Sequence, residues 1–120
     1  VLTAIHDAGG IAVLAHPYFF DNLDSLPRLM ENGLDGIEVW HPCATEEQQA
    51  ELKKIATKNK LLMTGGTDFH GLYNLDPVSI GDVLTPDDAM AKLLGYKAKQ
   101  KRLARKAAKA AAAQLQNDAG

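Results

Sequence analysis

Three short apolar runs punctuate the chain, in "GIAVLAHP", "DGIEVW" and "KLLMTGG", with segments of helical spacing between them. Ile11, Ala12, Val13, Leu14 and Ala15 form an unbroken run without polar alternation. Strands buried on both faces read this way, which predicts a parallel sheet covered by helices. Gly36 opens the second run and Pro42 closes it. Leu2 and Ile5 keep near-helical spacing in "VLTAIHDAGG", with the glycine pair as the stop. In "LDSLPRLMENGLDG", Leu23, Leu26, Met30 and Leu34 keep helical spacing up to the stop at Asn32-Gly33. "TEEQQAELKKIATKNK" offers Thr45 as an N-cap, acidic residues in its first turn and lysines in its last. Helix and strand therefore alternate, with strands starting about 25 residues apart, as in βα units.

Beyond the third run the pattern changes. "LYNLDPVSIGDVL" predicts a loop with a short extended piece over Val78–Leu84. Thr85-Pro86-Asp87 starts a further helix, expected to end near Leu94-Gly95. Residues 1–95 form the α/β unit, and 96–120 form a tail rich in Ala, Lys, Arg and Gln. With Leu103 and Leu115 as its chief apolar residues, the tail reads as an exposed, frayed helix or a disordered segment.

Charge divides the chain at the same place. Residues 1–96 carry 6 basic and 14 acidic side chains, and residues 97–120 carry 7 basic and 1 acidic. The tail could attract nucleic acid, although it has no aromatic residue past Tyr96 to stack on bases. No run approaches the length needed to span a bilayer, so no membrane partner is expected. Cys43 is the single cysteine, which excludes an internal disulfide and favours a cytoplasmic location. The chain has no initiator Met and opens inside a helical pattern. Together with three strands too few for a closed barrel, this predicts a piece of a larger unit, or self-association through exposed sheet edges.

Candidate chemistry gathers at the strand ends. In parallel α/β folds the C-terminal ends of the strands line the ligand site. His16 ends the first strand, His41 lies just past the second, and Asp68 and His70 follow the third, within "TGGTDFHG". In extended backbone the carboxylate and imidazole of Asp68 and His70 face one side while Phe69 faces away. Imidazole with carboxylate suits Zn, Mn or Fe. A hydrogen-bonded packing histidine and an aspartate bonded to its own turn are the competing structural readings. Glu38, inside the second strand, suits a supporting role, and His41 reads as an exposed loop residue. Cys43 reads as a bystander and His6 as a surface residue. No Gly-rich loop followed by Lys and Ser/Thr suggests a nucleotide cradle, and no Ser-His-Asp or Cys-His pairing suggests a covalent route.

"GGIAVLAHP", "LDGIEVWHP" and "LLMTGGTDFHG", in this order and spacing, resemble the C-terminal half of the polymerase and histidinol phosphatase (PHP) family. The nearer likeness is to its stand-alone phosphoesterases, which act on nucleoside bisphosphates and oligonucleotide 5′ ends. The likeness covers roughly residues 1–95. It implies part of a distorted (βα)7 barrel, with two or three divalent ions (Mn, Zn, Fe or Mg) at the C-terminal strand ends. It also implies phosphoester hydrolysis by metal-activated water on a phosphorylated small molecule or short oligonucleotide. His16, Asp68 and His70 are then metal ligands, with Glu38, His41 and Tyr18 as supporting or substrate-contacting residues. The family's N-terminal His-x-His pair does not occur among the four histidines, His6, His16, His41 and His70. The first half of the barrel is therefore expected to be missing and the isolated chain inactive. Where many family phosphatases carry an Arg after "AHP", this chain has Tyr18, Phe19 and Phe20, which alters the expected grip on substrate phosphate. Thr67 stands where Ser is common and keeps the hydroxyl. A non-catalytic, partner-binding version of the same module is the alternative.

Overall fold

The computed structural model describes residues 1–19, 22–73 and 78–120. Phe20 and the middle of the loop after the third strand lie outside the described residues. Three strands form one parallel sheet in the order β1-β2-β3: Val13–Leu14, Gly36–Trp40 and Leu62–Gly65. Helices α1 (Leu2–Asp7), α2 (Leu26–Glu31) and α3 (Glu46–Asn59) lie between or before the strands, and α4 (Asp87–Asp118) follows them. The α/β alternation expected from the sequence is present.

Local chemistry sets the helix boundaries. Pro27 enters α2 near its start, after a 3₁₀ turn over Asn22–Ser25, so one spaced apolar pattern is split into two short helical pieces. At α3, the Thr45 side chain accepts from the Gln48 N–H, and the Gln48 side chain accepts from the Thr45 N–H. That reciprocal capping box satisfies two donors that the helix itself leaves unpaired. Lys60 then ends α3 in the left-handed region at φ 56°.

The core lies between the sheet and the helices. Ile37 and Val39 of β2 are fully buried with Leu26, Leu34 and Leu52 around them. The central strand is thus the buried one. β1 departs from the expected five-residue strand: it has two residues, both half-buried, and Ala15 is exposed. Among the described residues it pairs with β2 alone and so lies at the sheet edge, where an unbroken apolar run is not covered on both faces. The other edge is partly closed. The Thr85 hydroxyl accepts from the Gly65 N–H at 2.8 Å and donates to the Gly65 carbonyl at 2.9 Å, as a neighbouring strand would. Gly65 is needed there, because a Cβ would sit 2.6 Å from the Trp40 Cβ and 2.9 Å from its carbonyl oxygen.

Three further expectations change. No strand forms over Val78–Leu84, where the described residues make turns, one of them held by the Ser79 N–H on the Asp82 carboxylate. The helix beginning after Pro86 does not stop at Gly95 but continues to Asp118 as one helix of 32 residues. His6 is not a bare surface residue. Its Nε2 lies 2.8 Å from Asp35 Oδ2, and the same oxygen accepts from the Ala12 N–H at 2.7 Å. The Tyr96 hydroxyl donates to Asp35 Oδ1 at 2.7 Å, and Lys97 Nζ donates to the Gly10 carbonyl. This buried carboxylate ties α1, β1, β2 and α4 together just ahead of β2.

Candidate metal centre at the strand ends

At the opposite, C-terminal end of the parallel strands the backbone turns sharply twice. His16 (φ 30°) and Asp68 (φ 50°) both occupy positive φ without being glycine. Such conformations cost of order 1–3 kcal/mol each and cluster at functional sites. They turn the chain away from β1 and β3 just where the candidate ligands stand. The His16 N–H donates to Glu38 Oε2 at 2.7 Å, so a carboxylate from the central strand fixes the turn after β1.

His41 overturns its reading as an exposed loop residue. It is only 6% exposed, its Nδ1 accepts from the Cys43 N–H at 3.1 Å, and its Nε2 lies 3.4 Å from Asp68 Oδ2. With Nδ1 used as an acceptor, the proton of the neutral ring resides on Nε2 and points to the Asp68 carboxylate. The His16 and His41 rings meet edge to face with centroids 5.8 Å apart. One sequence signal for this pairing exists: a His-Pro dipeptide follows each of the first two strands, His16-Pro17 and His41-Pro42.

The Asp68 and His70 side chains are neighbours, although Asp68 at φ 50° leaves the extended backbone on which the i, i+2 expectation rests. His70 Nδ1 lies 2.6 Å from the Asp68 carbonyl and 3.6 Å from its Oδ1. A carbonyl can only accept, so Nδ1 carries the proton and the Nε2 lone pair is left outward on an exposed ring. A backbone carbonyl on one ring nitrogen is the usual way a metal-ligating histidine is oriented.

Beside these residues an open cavity of about 250 Å³ is lined by His16, Tyr18, Glu38, His41, Cys43 and Gln48, among others. Tyr18 donates to Glu51 Oε2 at 2.5 Å. Burial, the bond to Glu51 and that carboxylate's charge push the phenol up to about 12, so Tyr18 remains a neutral hydrogen-bonding group at any ordinary pH. Four of the six candidates thus line one cavity; Asp68 and His70 do not, Asp68 lying beside the lining residue His41 and His70 beside Asp68.

The donor set fits a divalent transition ion in kind, pairing imidazole with carboxylate and, at His70, holding the ring through a backbone carbonyl. It falls short in number. Among the described residues, no three His, Cys, Asp or Glu side chains converge closely enough to hold an ion by themselves.

The molecule is therefore a parallel α/β unit that gathers histidines and carboxylates at the C-terminal edge of its sheet. No family model matches the chain. Over 69 residues it is 46% identical to the phosphoribosyl 1,2-cyclic phosphate 1,2-diphosphodiesterase of Eggerthella lenta, a match covering 58% of this chain and 26% of that protein. It also superposes on a crystal structure from Bifidobacterium adolescentis, a chain assigned as a metal-dependent phosphoesterase. The TM-score is 0.65 at 37% identity, over 78% of this chain and 34% of that one. The chain is thus similar in sequence to a phosphodiesterase and in fold to a metal-dependent phosphoesterase, and spans about a quarter to a third of their length.

Proposed function

We propose that the chain is the C-terminal part of a PHP-family metal-dependent phosphoesterase, completing part of a (βα)7 barrel. The observation that carries this reading is the oriented Asp68-His70 pair, with His41 on the carboxylate and the His70 Nε2 lone pair outward. His16, Asp68 and His70 hold divalent ions together with ligands from the remainder of the barrel. His41 and Glu38 act as positioning residues, the first on Asp68 and the second on the His16 backbone. A divalent ion there supplies an acidified water and neutralises charge on phosphoryl oxygens. The substrate is a phosphoester carried on a sugar or nucleotide, a class that includes the cyclic phosphodiester named for the Eggerthella lenta relative. Tyr18 and Gln48 offer neutral donors and acceptors to its sugar rather than a charged grip on its phosphate.

The test is metal analysis of the longer protein that contains this sequence, with Asp68→Asn and His70→Ala beside the parent. The parent should retain divalent metal through gel filtration, and each variant should lose most of it. Its hydrolysis of a cyclic phosphodiester should fall in parallel, while the isolated chain should have no activity. A metal-free parent would overturn the phosphoesterase reading and leave a partner-binding module.

A further inference from the structure

The outer part of α4 is the most strongly charged feature away from the strand-end site. Every residue beyond Lys97 is exposed, and Lys99, Lys101, Arg102, Arg105, Lys106 and Lys109 lie within eleven consecutive positions, 99–109. At 3.6 residues per turn these six fall within an arc of about 160° and along about 15 Å of helix axis. Gln100, Leu103, Ala104, Ala107, Ala110, Ala111 and Gln114 fill the opposite side. The tail's single acid, Asp118, also lies there, well past the last of the cations. Among the described residues none of the six makes an ion pair.

The chemistry of both faces narrows the partner. A membrane-surface helix needs large apolar residues opposite its cations. Here Leu103 and Leu115 are the only ones beyond Tyr96, and about 120° of helix rotation separates them. A protein partner is held chiefly by buried aromatic or aliphatic anchors, and this segment supplies no aromatic residue at all. What the surface offers is regularly spaced positive charge on a narrow rod, the complement of a phosphate backbone. Residues 1–96, with 14 acids to 6 bases, repel the same partner, so a polyanion is directed to α4 alone.

We propose that the outer part of α4 docks nucleic acid through its phosphates, without reading base sequence. This inference stands independently of the strand-end chemistry. With four to six phosphate contacts, affinity should fall about 10²–10³-fold between roughly 50 and 200 mM salt.

Fluorescence anisotropy with a labelled, mixed-sequence duplex of about 20 base pairs tests it on the full chain at those two salt concentrations. The expected result is saturable binding at low salt with that steep loss at high salt. Changing Lys101, Arg102, Arg105, Lys106 and Lys109 together to Gln should weaken binding at least about 100-fold at low salt. Glutamine's helix propensity is close to that of Lys and Arg, so the circular dichroism should not change. Arg102→Lys with Arg105→Lys should bind like the parent. No binding by the parent at low salt would overturn the proposal, as would unchanged binding by the glutamine variant. So would tighter binding to phosphatidylserine vesicles than to duplex, or a salt-sensitive dimer seen by light scattering in place of duplex binding.

Discussion

At the scale of single residues, Asp35 shows how much a fold this size rests on one polar group. Burial alone would raise its carboxyl, but the Ala12 N–H, the Tyr96 hydroxyl and His6 hold it below the ordinary aspartate value. Its bonded partners come from positions 6, 12 and 96, so no local pattern in the sequence marks it. The strand-end histidines lie in motifs that follow the three apolar runs, and the parallel topology puts the His16 and His41 ring centroids 5.8 Å apart. Asp35→Ala leaves the Ala12 N–H and the Tyr96 hydroxyl without their acceptor and should cost about 2–4 kcal/mol by urea unfolding. Asp35→Asn keeps the shape and one acceptor and should cost less, about 1–2 kcal/mol. The pH dependence follows from the depressed folded-state value. Asp35 contributes its full stabilisation above the unfolded aspartate pKa of about 3.9 and loses it as pH falls through the lower folded-state value. The gap between parent and Asp35→Asn unfolding midpoints should therefore shrink as pH falls from about 4 towards pH 3 and below.

At the scale of elements, what the sequence made legible is what local chemistry decides. α3 was readable because Thr45, the acidic first turn and the lysine-rich last turn all mark the same boundaries. β1 is shorter than its pattern predicts, because an apolar run does not reveal whether its strand has one neighbour or two. α4 runs past Gly95, which looks like a stop in the sequence, because a glycine ends a helix only when the chain turns left-handed there. In α4 good helix formers continue on its far side, and a Cβ at Gly95 would meet nothing within 4 Å. Gly95→Ala should thus stabilise the protein by about 0.5–1 kcal/mol, raising its thermal midpoint. At the sheet edge, Thr85 acts as a surrogate strand for Gly65 through one side chain, a contact across 20 residues that no periodicity announces. Thr85→Val preserves the volume and removes both bonds, and should cost about 1–3 kcal/mol in urea unfolding. Thr85→Ser should recover most of that loss.

At the scale of the whole molecule, two bodies of unlike character share one chain. The α/β unit buries a small cluster, with Leu26, Leu34, Ile37, Val39 and Leu52 at its centre. α4 projects from it far enough to make the long axis 69 Å against 27 and 26 Å across. The inner part of α4 belongs to the first body: Ala89 is buried, Tyr96 bonds Asp35, and Lys97 bonds the Gly10 carbonyl. Burial of the Tyr96 ring and its bond to the Asp35 carboxylate push that phenol up to about 12, so the tie does not ionise in the physiological range. The part beyond Lys97 is exposed throughout and makes no contribution to the core. Stability should therefore stop depending on the helix soon after residue 97. A chain ending at residue 103 should unfold with a thermal midpoint within about 2 °C of the full chain, because surface residues away from the core contribute within ±0.5 kcal/mol. Tyr96→Phe removes the hydroxyl from Asp35 and should cost about 1–2 kcal/mol, lowering the midpoint several times more than deleting the seventeen residues beyond 103. Differential scanning calorimetry of the three proteins makes the comparison. A large loss on truncation would mean that the outer helix is folded against the body, contrary to the exposure seen along its length.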